Sequence, residues 1–494
     1  MPEPKTHPSV LIIGAGFGGI AMAIELRKLG IRDVTILEAA DGPGGTWRYN
    51  TYPGAACDIP SQMYSFSFAQ RRDWSRPCSP QPEILAYLEQ VATDEGITPL
   101  IVTGSPVERC DWDADQATWT ATTPDGRTFT ADVLIPATGQ LNTPVNAKLK
   151  GLATFAGEQF HSARWRHDLD LRGRRVAVIG TGASAVQFVP EVAGIAGHLD
   201  VYQRTGNWFL PRWNKPYPAR YRWLIEHVPG MQKVRRRMVF DLTEHLTRGI
   251  RNPKTVGRSW KAVSTAYMRW QLRGAPALRK QLWPDYTWGC KRVLFTSRFI
   301  PALRRENVEL VTEPIREVVP EGIVTADGAL HPTDVIIHGT GFASTGFVLP
   351  MQINGPSGSL QDAWAGGPSA HLGLTVPDFP NLFVLYGPNT NTSGGSIIMY
   401  LEAQAAYVRQ AVELLARSGA AAIGVRPEVA VASDAALQAR FAGTAWLDCD
   451  SWYRDQTGRI VTNWPGYVAD YLAAVRTLDP AEFALTPSST PQPA

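Results

Sequence analysis

One arrangement occurs twice in this chain and restricts its fold more than any other feature: an apolar strand, a turn of closely spaced glycines, a helix and a second strand. The first copy reads Ser9-Val-Leu-Ile-Ile13, then Gly14-Ala-Gly16-Phe-Gly-Gly19, then helical spacing closed by Gly30, then Val34-Thr-Ile-Leu-Glu38. The second reads Arg175-Val-Ala-Val-Ile179, then Gly180-Thr-Gly182-Ala183-Ser184-Ala185, a helix, and Asp200-Val-Tyr-Gln203. A short, wholly apolar run suits a parallel strand buried on both faces. In such a turn the first glycine allows the tight bend. The second lets a pyrophosphate approach backbone N–H groups, and the third lets helix and strand pack closely. The expectation is an α/β protein with two Rossmann-like dinucleotide-binding domains.

The residues closing each copy differ in charge. Glu38 ends the first unit, where a carboxylate accepts hydrogen bonds from ribose hydroxyls. Arg204, followed by Thr205, holds the matching place in the second. A carboxylate repels a phosphorylated ribose and a guanidinium attracts one. The first site therefore suits FAD and the second NADPH.

The rest of the chain divides around these units. Residues 83–92 have helical spacing, and 106–130 alternate as an antiparallel meander turning at Pro124-Asp-Gly126. Asp132-Val-Leu-Ile-Pro-Ala-Thr-Gly139 and Asp334-Val-Ile-Ile-His-Gly-Thr-Gly341 echo one another as return strands. A second meander is expected over Val308–Thr325, a strand over Pro380–Tyr386 and a helix over 396–416. The FAD domain is expected to comprise 1–143 and 341–480, and the NADP domain 151–208 and 290–340. A helical insertion over 209–289 and a disordered tail over 481–494 complete the layout.

With 494 residues and 44% apolar composition, the chain can build several cores. A net charge of +3 gives no argument for nucleic acid. The charge is uneven: residues 209–292 carry 19 Lys and Arg against four acids, an anion-binding surface or a solvated helical face. Five cysteines form no Cys-x-x-Cys, so no redox dithiol or metal ribbon is expected, and a reducing, cytoplasmic setting fits. No signal-like N-terminus or bilayer-length apolar run is present.

Two longer patterns carry the chemistry. Phe155-x-Gly157-x3-His161-x3-Trp165 just precedes the second nucleotide turn, and Gly44-Gly45-Thr46-Trp47 leads to Tyr52-Pro53-Gly54-x3-Asp58. Both resemble fingerprints of the type I Baeyer–Villiger monooxygenases, within the flavin-containing monooxygenase superfamily. Arg166 stands where that family usually has Pro or Asp. The C-terminal segments Gly387–Asn391, Ser451–Tyr453 and Trp464–Gly466 look most like the branch containing hydroxyacetophenone monooxygenase.

The resemblance implies that NADPH reduces FAD and that O2 forms a flavin peroxide, which converts a ketone to an ester or lactone and can also oxidise sulfides. A deprotonated peroxide needs a fixed positive charge, and arginine does not lose its proton. By resemblance Arg292 is that catalytic arginine and Asp58 the carboxylate that positions it. FAD contacts are expected from Gly14, Gly16, Gly19, Glu38, Thr46, Trp47, Asp58, Tyr64 and Val107. NADP contacts are expected from Gly180, Gly182, Ala183, Ser184, Ala185, Gln187, Arg204, Thr205, Lys291 and Arg292. Phe155, Gly157, His161 and Trp165 are expected to form a linker between the two units, with His161 a hydrogen-bonded post. Two other functions stay open: an N- or S-oxygenating flavin monooxygenase with little ketone activity, and a non-catalytic dinucleotide sensor. Neither the ketone nor the oligomeric state follows from these residues.

Overall fold

Both glycine-turn units form as parallel sheets. The structure, a computed structural model, describes residues 7–392 and 394–488. The first sheet is parallel, in the order Ile101–Val102, Val34–Leu37, Val10–Ile13, Val133–Pro136. Helix Phe17–Lys28 lies between this sheet and the long helix Ile397–Ser418, and nine of its residues are buried. It needs no amphipathic stripe because it is covered on nearly all sides.

The second sheet is also parallel, in the order Val308–Val311, His198–Tyr202, Arg175–Ile179, Val335–His338, Glu158–His161. Two expectations change here. Val308–Val311 belongs to this sheet; the second meander is Ile315–Val319, Gly322–Thr325 and Leu330–Pro332. Its alternating apolar residues suit either sheet type, and only the pairing with His198–Tyr202 decides between them. Residues 158–161 are the edge strand rather than a linker. A Cβ at Gly157 would lie 2.3 Å from the Asp334 carbonyl oxygen, so the chain enters this edge only through glycine.

The first meander forms at Arg109–Asp113, Thr118–Thr122 and Thr128–Ala131. Gln352–Gly355 adds to it in parallel. The expected strand over Pro380–Tyr386 is an extended segment hydrogen-bonded beside Leu134 and Pro136. Positive φ angles at Asn381 and Tyr386 interrupt its regularity. The insertion is helical at Ala219–His227, Met231–Arg251, Val256–Gln271 and Pro276–Leu282. Parallel pairing of Phe209–Leu210 with Leu294–Phe295 closes its base.

The expected tail is ordered over its first part, since Phe483–Pro487 pairs antiparallel with Ala420–Val425 and Phe483 is buried. Residues 489–494 lie outside the described residues. Cys290 and Cys449 form a disulfide, a pairing that the cysteine spacing does not display. Its partners are 159 residues apart, beyond the reach of any local motif. Among the described residues no helix is long and apolar enough to cross a membrane.

Candidate active site

The two glycine turns meet the demands of close packing in different ways. Gly14 adopts φ +106°, and a Cβ there would lie 2.8 Å from the Ala137 carbonyl oxygen. Gly180 repeats this at φ +105°, 2.5 Å from the Gly339 carbonyl oxygen. A Cβ at Gly19 would collide with the Gly14 carbonyl oxygen, so Gly19 packs the helix onto the strand. Ala185 takes the corresponding place in the second copy. Opposite it stands Gly339, where a Cβ would come within 3.4 Å of the Ala185 methyl group.

A cavity of about 1030 Å³ opens between the two units. Gly14, Gly16, Glu38, Thr46, Trp47, Asp58, Tyr64 and Val107 line it from the first unit. Ala183, Ser184, Gln187 and Arg292 line it from the second. Gly19, Gly180, Gly182, Ala185, Arg204, Thr205 and Lys291 are not among its lining residues. Gly16 and Gly45 face each other across one wall, where a Cβ at Gly45 would lie 3.0 Å from Gly16 Cα. Any side chain at these positions would fill the space that a flavin nucleotide needs, so the bare backbone fits FAD. The buried Glu38 carboxylate accepts from the Ala15 N–H at 2.7 Å and the Ala40 N–H at 2.9 Å. It is thereby fixed at the cavity wall with lone pairs left for ribose hydroxyls. The Trp47 indole N–H donates to the Tyr64 hydroxyl at 3.1 Å, joining two of the expected flavin contacts.

Asp58 is the electrostatic centre of the cavity. Its side chain is 10% exposed and lies between two guanidinium groups. Arg292 Nη2 is 3.6 Å from Asp58 Oδ2, and Arg212 Nη1 is 3.8 Å from Oδ1. Burial works against the Arg292 charge, but attraction to Asp58 leaves its pKa raised. A permanent cation is thus held on the cavity wall without a short hydrogen bond tying it down. Burial pushes the Tyr453 and Tyr52 hydroxyls up to about 12, so both remain neutral donors.

Arg212 does not stand out in the sequence, where it is one of 19 basic residues. The pairing of Phe209–Leu210 with Leu294–Phe295 brings the chain segments of both arginines together. Ser297 Oγ accepts from the Arg212 N–H at 3.0 Å and donates to its carbonyl oxygen at 2.9 Å. The Arg212 guanidinium also donates to the Cys57 carbonyl oxygen.

Gln187 joins the two units. Its amide donates to Asp58 Oδ1 and to the Ala56 carbonyl oxygen, each at 3.0 Å. Its carbonyl oxygen accepts from the Tyr52 hydroxyl at 3.1 Å and the Ala56 N–H at 3.2 Å. The amide thus clamps the loop bearing Asp58 to the helix that follows the second glycine turn. The disulfide adds a covalent tie, anchoring the residue before Lys291 and Arg292 to the segment carrying Tyr453.

Lys291 and Arg204 lie close enough to repel one another. Burial lowers the Lys291 pKa, and repulsion from Arg204 lowers it further. Two adjacent cations are relieved by a bound dianion such as a ribose phosphate. His161 is buried, and burial depresses its pKa. Its Nδ1 accepts from the Ala163 N–H at 3.1 Å, which leaves Nε2–H to donate to the Gly341 carbonyl oxygen at 3.0 Å. Arg166 sits in an exposed pair with Asp168, away from the cavity lining.

Two glycine cradles, one shared cavity and a carboxylate between two guanidiniums define a protein built to hold two dinucleotides around a charged reaction centre. The family described as pyridine nucleotide-disulphide oxidoreductase matches residues 11–217. A Baeyer–Villiger monooxygenase of Streptomyces coelicolor is 40% identical over 482 residues, spanning 97% of this chain and 92% of that protein. One from Pseudomonas aeruginosa is 38% identical over 489 residues, spanning 98% and 93%. Among solved structures, a steroid monooxygenase bound to NADP is 30% identical with TM-score 0.85, covering 97% of this chain and 99% of that one. This chain belongs to the Baeyer–Villiger monooxygenases.

Proposed function

We propose that this protein is an NADPH- and O2-dependent flavin monooxygenase that converts ketones to esters or lactones. The observation that carries the proposal is the Asp58–Arg292 pair, 3.6 Å apart on the wall of the cavity between the two glycine cradles. In this reading 1–143 with 341–480 hold FAD, and 151–208 with 290–340 hold NADPH. Bound FAD, reduced by NADPH, supplies the oxygen-activating chemistry.

The protein's own groups act around that chemistry. Arg292 offers a fixed positive charge where negative charge develops, in a cavity whose low dielectric strengthens it. Asp58 keeps that guanidinium placed, and Gln187 and Arg212 keep Asp58 placed. Lys291, Arg204 and Thr205 hold the 2′-phosphate, which selects NADPH over NADH. Neutral Tyr52 and Tyr453 donate hydrogen bonds without adding a competing negative charge. His161 is a structural post, its ring engaged at both nitrogens. Sulfides belong to the same proposal as second substrates, and so does a cytoplasmic location.

Arg292→Ala tests it. Product analysis over cyclic, linear and aryl ketones with NADPH should show esters or lactones for the unaltered protein. The variant should still oxidise NADPH and form none. An ester-forming variant would refute the assignment. A protein that binds no flavin would favour a sensor. Sulfoxide without ester, in a sulfide and ketone tested side by side, would favour a heteroatom oxygenase.

A further inference from the structure

A second chemical cluster lies in the nucleotide-binding sheet of the second unit, apart from the cavity lining. His198, Asp200 and Tyr202 alternate along one strand, so their side chains leave the same face. The parallel register sets Glu309 of the neighbouring strand beside Asp200. The small sheet of residues 315–332 packs over this face, with Tyr202, Val311, Val318 and Ile323 in one apolar cluster. From that small sheet comes His331.

Three donor atoms converge, and a fourth, from His331, approaches the other oxygen of Asp200. His198 Nε2 is 3.0 Å from Asp200 Oδ1, and His331 Nδ1 is 3.6 Å from Asp200 Oδ2. One ligand atom each from His198, Asp200 and Glu309 fits within 4.8 Å of the others. Asp200 is only 3% exposed. Tyr202, at 4% exposure, makes an edge-to-face contact with the His331 ring, and its buried hydroxyl has no hydrogen-bond partner. Asp200 stands two residues before Tyr202 on the same strand, with Glu309 beside it in register.

We propose that His198, Asp200, Glu309 and His331 bind one divalent transition-metal ion of the zinc type. Two imidazoles and two carboxylates are borderline donors that suit zinc and exclude a calcium- or magnesium-like all-oxygen shell. Bonds of roughly 2.0–2.1 Å in a tetrahedron set neighbouring donors about 3.3 Å apart. The two His–Asp200 separations, each to a different carboxylate oxygen, lie on either side of that distance, and rotations of Asp200 and of Glu309, on the exposed edge strand, complete the set. Without a cation, the buried Asp200 carboxylate has only two imidazole edges beside it, a poor return for its desolvation. With one bound, the carboxylates turn toward the ion and leave an oxygen to accept from Tyr202 O–H, the usual outer-sphere arrangement.

Four protein ligands make a closed, structural site. The ion would pin the small sheet over the parallel sheet. The cluster occupies the strand before Arg204, so the ion would also stiffen the strand leading to the nucleotide phosphate.

The test uses the flavin-loaded protein after dialysis against EDTA. Added Zn2+ should bind one ion per chain by mass spectrometry of the metal, and Co2+ should give the visible absorption of a tetrahedral site. Saturating Zn2+ should raise Tm by roughly 4 °C. His198→Gln, at a side chain 43% exposed, should keep flavin content and weaken zinc binding at least tenfold. Asp200→Asn should do the same, and if it fails to fold His198→Gln decides alone. No uptake at a tenfold excess of Zn2+, or uptake unchanged in His198→Gln, overturns the proposal.

Discussion

Arg212 and Asp58 lend themselves to a double-mutant cycle: Arg212→Met, Asp58→Asn and both together. The guanidinium and carboxylate are 3.8 Å apart and side chains of both are mostly buried, at 14% and 10% exposure. At an effective dielectric constant near 20 the gross attraction is about 4 kcal/mol. The carboxylate also shares Arg292 at 3.6 Å and the Gln187 amide at 3.0 Å, so losing Arg212 leaves it paired. Desolvation and that sharing reduce the net coupling to about 1–2 kcal/mol. Arg212→Met should therefore lower kcat/KM for the ketone by roughly 5- to 30-fold. NADPH should still be oxidised, with less ester formed per NADPH consumed. Arg212→Lys, which keeps the charge but not the planar fork, should recover part of the loss. Asp58→Asn alone should cost more, because it leaves two guanidiniums facing one neutral amide. In the double variant the losses should fall short of additive by that 1–2 kcal/mol. Ester formation and NADPH oxidation are measured together at fixed ionic strength. Losses that add to within about 0.3 kcal/mol would show that Arg212 does not act through Asp58.

Three further outcomes are expected. Lys291→Ala and Arg204→Ala should each raise KM for NADPH by roughly tenfold, the cost of one charge-assisted phosphate contact, and leave NADH little affected; steady-state kinetics with both nucleotides checks this. Stability should fall on acidification from pH 7 to pH 4. Burial, and then the neighbouring His161, hold the His338 pKa down to about 4, so the folded state resists a proton that the unfolded chain takes up below about 6.5. That stability is present above pH 6.5 and lost as pH falls toward 4, by about 3 kcal/mol, and His338→Gln should flatten the denaturant midpoint against pH. Mass spectrometry without reductant should find Cys290 joined to Cys449, while Cys57, Cys78 and Cys110, all buried, react with thiol reagents only after unfolding. The 159-residue separation sets a ceiling of about 5 kcal/mol on the disulfide's contribution through the unfolded chain, and Cys290→Ser/Cys449→Ser should lower Tm accordingly.

Local patterns predicted the elements well where burial and spacing agree. Val10–Ile13 and Arg175–Ile179 are apolar runs that only a two-faced burial satisfies, and each leads into a turn that only glycine permits. Reading went astray where the deciding partner is distant. Glu158–His161 carries a single apolar residue among three polar ones, like many exposed segments, and becomes an edge strand only because Val335–His338 lies beside it. Val308–Val311 fits a meander by its own pattern, and only its pairing with His198–Tyr202 assigns it to the parallel sheet. Phe483–Pro487 looks like the start of a Pro- and Thr-rich tail until Ala420–Val425 offers it a pairing edge.

The candidate site divides along the same line. Asp58, Arg292 and the glycine turns stand in gapped patterns that sequence spacing alone displays, because each element presents them in a fixed local geometry. Arg212, the clamp made by Gln187, and the cluster of His198, Asp200, Glu309 and His331 have no such pattern. Each draws on elements far apart in the chain, and only the packing of those elements brings Arg212 to Asp58, Gln187 to Asp58, and Glu309 and His331 to Asp200. Coulombic interactions depend on distance through space and on burial. The sequence by itself determined the class of fold and the chemistry available to it; the tertiary structure decided which charges meet.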